Sequence, residues 1–160
     1  MECTIVKILP SSKGFEKICA YLESVIVSEN LSINGGTLNY SNLTYESNLL
    51  LLAIKDEKPI GFSSLVELED SFYVYQIAIK KEYQQKGIGS MLLEEAIGVA
   101  KSVGYDVTAN VMEHNTNSKK MFERFGFKKL GYSSKGNAFY RFFQPEKIVD
   151  QQTNIDEKKH

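Results

Sequence analysis

IAIKKEYQQKGIGSMLLEEA, residues 77–96, is an apolar strand that runs through a short turn with two glycines straight into a helix. Gly87 and Gly89 remove the side chains that would hold a ligand away from the backbone. The amides of the turn and the first free amides of the helix then point at one place. Together with the positive end of the helix dipole they make a site for phosphate oxygens that needs no net positive charge. Lys86 adds a local cation, and Lys80 and Lys81 stand close by in sequence.

Spacing separates the glycine loops that could sit here. A nucleoside-triphosphate loop needs four residues between its glycines and a Gly-Lys-Ser/Thr ending, whereas one residue separates Gly87 from Gly89 and Met91 follows Ser90. A dinucleotide fingerprint needs a third glycine where Leu92 stands and an acidic residue closing the next strand, whereas Asp106 opens it. For an isolated Gly-x-Gly an ordinary turn would be the simpler reading, but the residues on either side decide against it.

Outward from this stretch the chain reads as mixed α/β. Residues 4–9 predict a first strand, and Phe15, Ile18, Cys19, Leu22, Val25 and Ile26 a helix with Ser11 or Ser12 as its cap. The Asn-, Ser- and Gly-rich segment 30–48 reads as a variable loop or short helix. Three strands come next at 49–55, 60–68 and 72–80, with turns at Asp56-Glu57-Lys58-Pro59 and Glu69-Asp70-Ser71. In the third, strict alternation puts Phe72, Val74 and Ala78 on one face and Tyr73, Tyr75, Ile77 and Ile79 on the other, so it belongs in the middle of the sheet. A helix of about fifteen residues runs to Gly104, crossing over to a strand at 107–111. A helix at 118–125 stops at Gly126, and a last strand lies at 139–143.

Composition bounds the class. With 160 residues, 42% of them hydrophobic, the chain can bury roughly 70% of its unfolded surface around one core. Nineteen basic against twenty acidic residues leave a net charge of −1, so no global field draws it to nucleic acid or an anionic membrane. The longest apolar run, 49–54, is far short of the roughly twenty residues of a membrane span. Cys3 and Cys19 form neither metal-ligand spacing nor a disulfide framework, which points to a reducing cytosol and no metal. Residues 1–144 read as one domain and the polar segment 145–160 as a flexible tail.

The neighbours of the two glycines resemble a family signature. In the GNAT (Gcn5-related) N-acetyltransferases, a Gln or Arg, two residues, Gly, one residue and Gly or Ala stand between a strand and a helix. Here these are Gln84, Gln85, Lys86, Gly87, Ile88 and Gly89, followed by Ser90. A second block of the family is matched by Asn115, Ser118, Phe122, Gly126 and Phe127. The resemblance covers residues 49–143 closely and the first strand and helix loosely. It implies a mixed sheet of six to seven strands with about four helices, and acetyl-coenzyme A (acetyl-CoA) as cosubstrate. It further implies that the amides of Gln85, Lys86, Gly87, Ile88, Gly89 and Ser90 hold the pyrophosphate. The pantetheine arm would lie along Ile77, Ala78 and Ile79, where the sheet diverges. Asn115, Ser118, Phe122 and Lys119 or Lys120 would line the arm or the adenosine phosphates. Asn115 suits a helix cap equally well.

The resemblance departs at the chemistry. The tyrosine that many members use toward the leaving thiolate is matched by Phe122, which has no proton to give. The two positions where members carry a catalytic Glu are matched by Tyr73 and Asn110. Glu67, Tyr73 and Tyr75 are the candidates that remain, set against the ordinary roles of a solvated hairpin Glu and core tyrosines. His114, Tyr132 and Tyr140 are weaker candidates. The expectation is an N-acetyltransferase acting on a primary amine of a small molecule or peptide by direct transfer in a ternary complex. The alternative is an acyl-coenzyme A-binding sensor or interaction module that has lost the chemistry. A homodimer stays open.

Overall fold

Tight turns between apolar stretches of matched length fold the middle of the chain into an antiparallel meander, because both faces of those strands find helices to cover them. The structure, a computed structural model, describes residues 2–30 and 48–145. The expectations for segment 31–47 and for the tail after Pro145 lie outside the described residues. Strands β1 (Thr4–Ile8), β2 (Leu49–Lys55), β3 (Lys58–Glu67), β4 (Ser71–Ile79), β5 (Asp106–Val111), β6 (Lys128–Tyr132) and β7 (Ala138–Phe142) form one sheet, ordered β1-β2-β3-β4-β5-β7-β6. Only β4 and β5 pair in parallel, and helix α2 (Ile88–Ser102) makes the crossover between them.

The first helix, α1 (Phe15–Tyr21), runs on through wider π-helical turns at Leu22–Val27 into a last turn, Ser28–Asn30. Neither expected serine caps it. The Ser12 hydroxyl accepts from the Leu9 amide at 3.1 Å, closing the preceding turn, and Gly14 in the left-handed region (φ 82°) starts the helix. The third helix, α3 (Thr116–Arg124), begins at Asn115, whose side chain accepts from the Ser118 amide at 3.2 Å, as its capping chemistry predicts. Three helices are thus seen among the described residues, against about four expected.

On one face, α2 and α3 cover Leu51, Val74, Val107 and Ala109; on the other, α1 covers Leu50, Leu52, Phe62 and Ala78. The β2–β3 turn is tighter than expected. Asp56 and Glu57 both take positive φ, the two-residue hairpin geometry, so β3 begins at Lys58. Strand β6 has no sequence signal because it is an outer edge strand with a bulge between Lys129 and Gly131, and its Leu130 is 51% exposed. Among the described residues no helix is long and apolar enough to cross a membrane.

Candidate functional site

The site begins where β4 and β5 part. Their ladder runs only from Ser71↔Asp106 to Val74↔Ala109, after which β4 continues to Ile79 without β5 beside it. The cause is a bulge. β3 pairs Leu65 with Val74 and Ser64 with Gln76, so Tyr75 is an extra residue in β4. Such a residue bends its strand and sharpens the twist. It also exchanges the faces of the rest of the strand. Phe72 and Val74 pack under α2, but Ala78 packs under α1 while Ile77 and Ile79 turn to the α2 side. The grouping of Phe72, Val74 and Ala78 on one face, expected from strict alternation, is therefore corrected by the bulge.

Beyond the fork β4 offers bare backbone. Lys80 donates to the Ile60 carbonyl at 2.8 Å, and the alternation of an antiparallel ladder then turns the main-chain groups of Ile77 and Ile79 away from β3, toward the gap. The Ile79 carbonyl accepts from the side chains of Asn30 and Gln84, each at 3.1 Å. Gln84 also donates to Asn30 Oδ1 at 3.0 Å, and Asn30 to the Ile26 carbonyl at 2.9 Å. The signature glutamine thus ties the turn to the end of α1 and to β4.

Gln85 and Gly87 both take positive φ, 61° and 84°, on either side of Lys86. The first amide of α2 with a carbonyl partner is Met91, bonded to Gly87 at 3.1 Å. Among the described residues nothing accepts from the amides of Gln85, Lys86, Gly87, Ile88, Gly89 or Ser90. Six unpaired donors at the start of a fifteen-residue helix form a cradle for an anion.

Cradle, open strand and α3 enclose a cleft of about 760 Å³. Of the residues predicted from sequence, Tyr75, Ile77, Ala78, Ile79, Gln84, Gln85, Gly87, Ile88, Gly89, Ser90, Asn115, Ser118 and Phe122 line it. Lys86 is exposed outside the lining. Lys119 turns its ammonium to Glu113 at 3.1 Å, which holds the Glu113 carboxyl below its ordinary range. Lys120 and Arg124, one helical turn apart on α3, line the cleft instead. Sequence reasoning weighed Lys120 but missed Arg124, whose signal was the four-residue spacing between them. Asn110, singled out only as the match to a family Glu position, lines the cleft too, and Asn30, Gln76, Tyr83, Met112, Asn117 and Met121 are further lining residues that sequence reasoning did not single out.

The catalytic candidates scatter. Glu67 lies at the far end of the β3–β4 hairpin, where its Oε1 accepts from the Tyr105 hydroxyl at 2.7 Å, so the structure takes it out of the cleft. The hairpin carries it away because the cleft opens at the opposite end of β4. Tyr73 does not line the cleft either; its hydroxyl accepts from Asn110 Nδ2 at 3.2 Å, bridging β4 and β5 just before they part. Tyr75, the bulge residue, lines the fork and packs partly against the α1 core.

Phe122 meets Phe127 edge-on at 4.9 Å and stacks near Tyr140 at 6.1 Å. Burial first, and a 2.9 Å bond from its hydroxyl to Glu123 second, push Tyr140 up to about 12. Tyr140 is therefore a neutral phenol committed to Glu123, without access to the cleft. Tyr132 is 62% exposed and bonded to Lys129.

The ionised side chains of the lining are Lys120 and Arg124, both positive, which suits a polyanion as well as the cradle does. Open main chain along β4 suits an extended arm carrying amides. Both halves of coenzyme A fit the residues present.

Comparison with known proteins agrees. Residues 32–127 match the model of the acetyltransferase (GNAT) family. The chain is 28% identical over 105 residues to a Bacillus subtilis (strain 168) protein named uncharacterized N-acetyltransferase CgeE, covering 61% of this chain and 40% of that protein. It is 31% identical over 94 residues to the peptidyl-lysine N-acetyltransferase YjaB of Salmonella typhimurium, covering 58% and 59%. The chain spans about half the length of the curated relatives it matches. The PaiA N-acetyltransferase of Thermoplasma acidophilum, solved in complex with coenzyme A, superposes with a TM-score of 0.73 over 90% of this chain and 100% of that one, at 21% identity. The forked sheet, the glycine turn and the family match over more than half of its length have one reading: the chain belongs to the GNAT acetyltransferase family.

Proposed function

We propose that the chain is an acetyl-CoA-dependent N-acetyltransferase, transferring acetyl to a primary amine within a ternary complex. The observation that carries this reading is the cradle of six unpaired amides, standing at one end of a strand whose main chain is open toward the cleft. The amides of Gln85, Lys86, Gly87, Ile88, Gly89 and Ser90 hold the pyrophosphate. Ile77 and the Ile79 amide receive the arm, with Ala78 beside them. Asn115, Ser118, Lys120 and Arg124 face it from α3. The thioester supplies an activated acetyl group at the fork, between Tyr75 and Asn110. With Phe122 in the cleft wall, the rate rests chiefly on holding amine and thioester together. Residues 1–144 act as one domain, and Cys3 and Cys19, which form no disulfide among the described residues, suit a reducing cytosol.

Calorimetry with acetyl-CoA tests the binding half: saturable binding is expected, and none at hundreds of micromolar would sink the proposal. Replacing Lys120 and Arg124 together by alanine is expected to weaken that binding about tenfold at low salt and less at high salt, because exposed charges are screened. The same titration at two ionic strengths checks it.

A second reading is favoured by Phe122 and by the commitment of Tyr140 to Glu123, which leave the cleft without a phenol at the family's acid position. It is an acyl-coenzyme A-binding module without turnover. Release of free thiol with any one amine from a broad panel excludes it.

A further inference from the structure

The groups around the fork carry information about the amine itself, and this inference rests on the acetyltransferase reading above. An arm anchored at the cradle and laid along β4 from Ile79 back to Val74 spans about 17 Å, at about 3.3 Å per residue, and so ends at the fork. There the lining side chains are Val74, Tyr75, Ala109 and Asn110. Asn110 is exposed, and its Nδ2 is committed to the Tyr73 hydroxyl, so its carbonyl oxygen is the group it presents to an incoming N–H. Elsewhere the polar side chains of the cleft are largely carboxamides, and its ionised ones are the cations Lys120 and Arg124. Among the described residues no carboxylate or imidazole lines the cleft.

With the coenzyme's phosphates held by the cradle, Lys120 and Arg124, an ammonium entering the fork finds neutral side chains where it would need a counter-ion or a proton acceptor. A neutral amine meets no such penalty. It can donate to the Asn110 carbonyl and keep its lone pair for the thioester carbon, releasing its proton to solvent as the C–N bond forms and the C–S bond breaks.

We propose that the acceptor is a primary amine of low basicity that enters the fork uncharged and is received by Asn110. The α-amine of a peptide and an aryl amine share that chemistry; a lysine side chain and a polyamine do not. At pH 7 an amine with a pKa of about 8 is roughly 200-fold richer in its neutral form than one of about 10.4.

The test measures thiol release from acetyl-CoA by the full chain at pH 7, with four probes at equal concentration: a peptide with a free N-terminal alanine, aniline, Nα-acetyl-lysine amide and spermidine. Either of the first two is expected to exceed both of the others by about 200-fold or more in kcat/KM, and whichever responds identifies the source. With the peptide, the rate should level off above about pH 8. Equal or faster turnover of lysine or spermidine overturns the inference, and so does coenzyme binding without turnover of any probe. Failure to bind coenzyme strikes the acetyltransferase reading instead, so the two failures are distinguishable. Asn110→Asp, which places a carboxylate at the fork, is expected to raise lysine turnover relative to peptide turnover while coenzyme affinity holds. An unchanged ratio places the amine elsewhere and overturns the assignment to Asn110.

Discussion

Gly89→Val is expected to raise the dissociation constant for acetyl-CoA about 100-fold in a protein that still folds. A Cβ at this position meets only the Met121 sulfur at 3.5 Å, an ordinary contact, so the helix itself accommodates the change. The added methyl groups instead occupy the space in front of the cradle and part the phosphates from the amides. Hydrogen bonds to a charged group contribute about 1.5–3 kcal/mol each, so the loss of one or two accounts for a factor of this size. Calorimetry reads the affinity, and a thermal melt confirms the fold. Gly89→Ala should lie between the two. Wild-type affinity in a folded Gly89→Val protein would show that phosphates do not sit over this turn.

The largest expected loss of stability lies away from the cleft. Asp106 opens β5 and is 4% exposed. Its Oδ2 accepts from Arg141 Nε at 2.9 Å and Nη2 at 2.8 Å, and its Oδ1 from the Gln144 amide at 3.0 Å. Gln144 in turn donates from its side chain to the Ile97 carbonyl on α2 at 3.0 Å. One carboxylate therefore binds β5, β7 and the segment after β7 to α2. Asp106→Ala leaves a buried amide without its acceptor and the half-buried guanidinium to the exposed Asp70 at 3.3 Å, at an expected cost of about 3 kcal/mol. For a domain of this length that is a fall in Tm of about 10 °C. Coenzyme affinity, measured below the new Tm, should hold, because the cradle lies on another element. A fall of less than about 2 °C would mean that the cluster is not coupled to folding.

The same residue shows how far sequence carries. Its position at the opening of β5 was enough to argue against a dinucleotide site, yet nothing local announced Arg141 and Gln144, which lie 35 and 38 residues away. Lys119 and Lys120 make the point on a smaller scale. As a Lys-Lys pair they are interchangeable in sequence, but successive residues on a helix point about 100° apart, and only the packing of α3 sends Lys119 to Glu113 and Lys120 into the cleft. Gln84 was recognisable as a signature residue, whereas its bonds to Asn30 and the Ile79 carbonyl depend on where α1 ends. Glu67 was plausible on a strand read in isolation, and the direction of the hairpin removes it to Tyr105.

By itself the sequence determined what depends on short range: the glycine turn after a buried strand, the helix behind it, the Asn115 cap, the meander and the family. Backbone freedom, capping and periodicity act over a few residues, so they are written in consecutive positions. Only the tertiary structure decided the bulge at Tyr75, the exchange of faces beyond it, the opening of the main chain at Ile77 and Ile79, and the neutral fork around Asn110. Each of these arises from register between strands that meet only when the chain has folded, and a one-residue shift in that register leaves no mark in the local pattern.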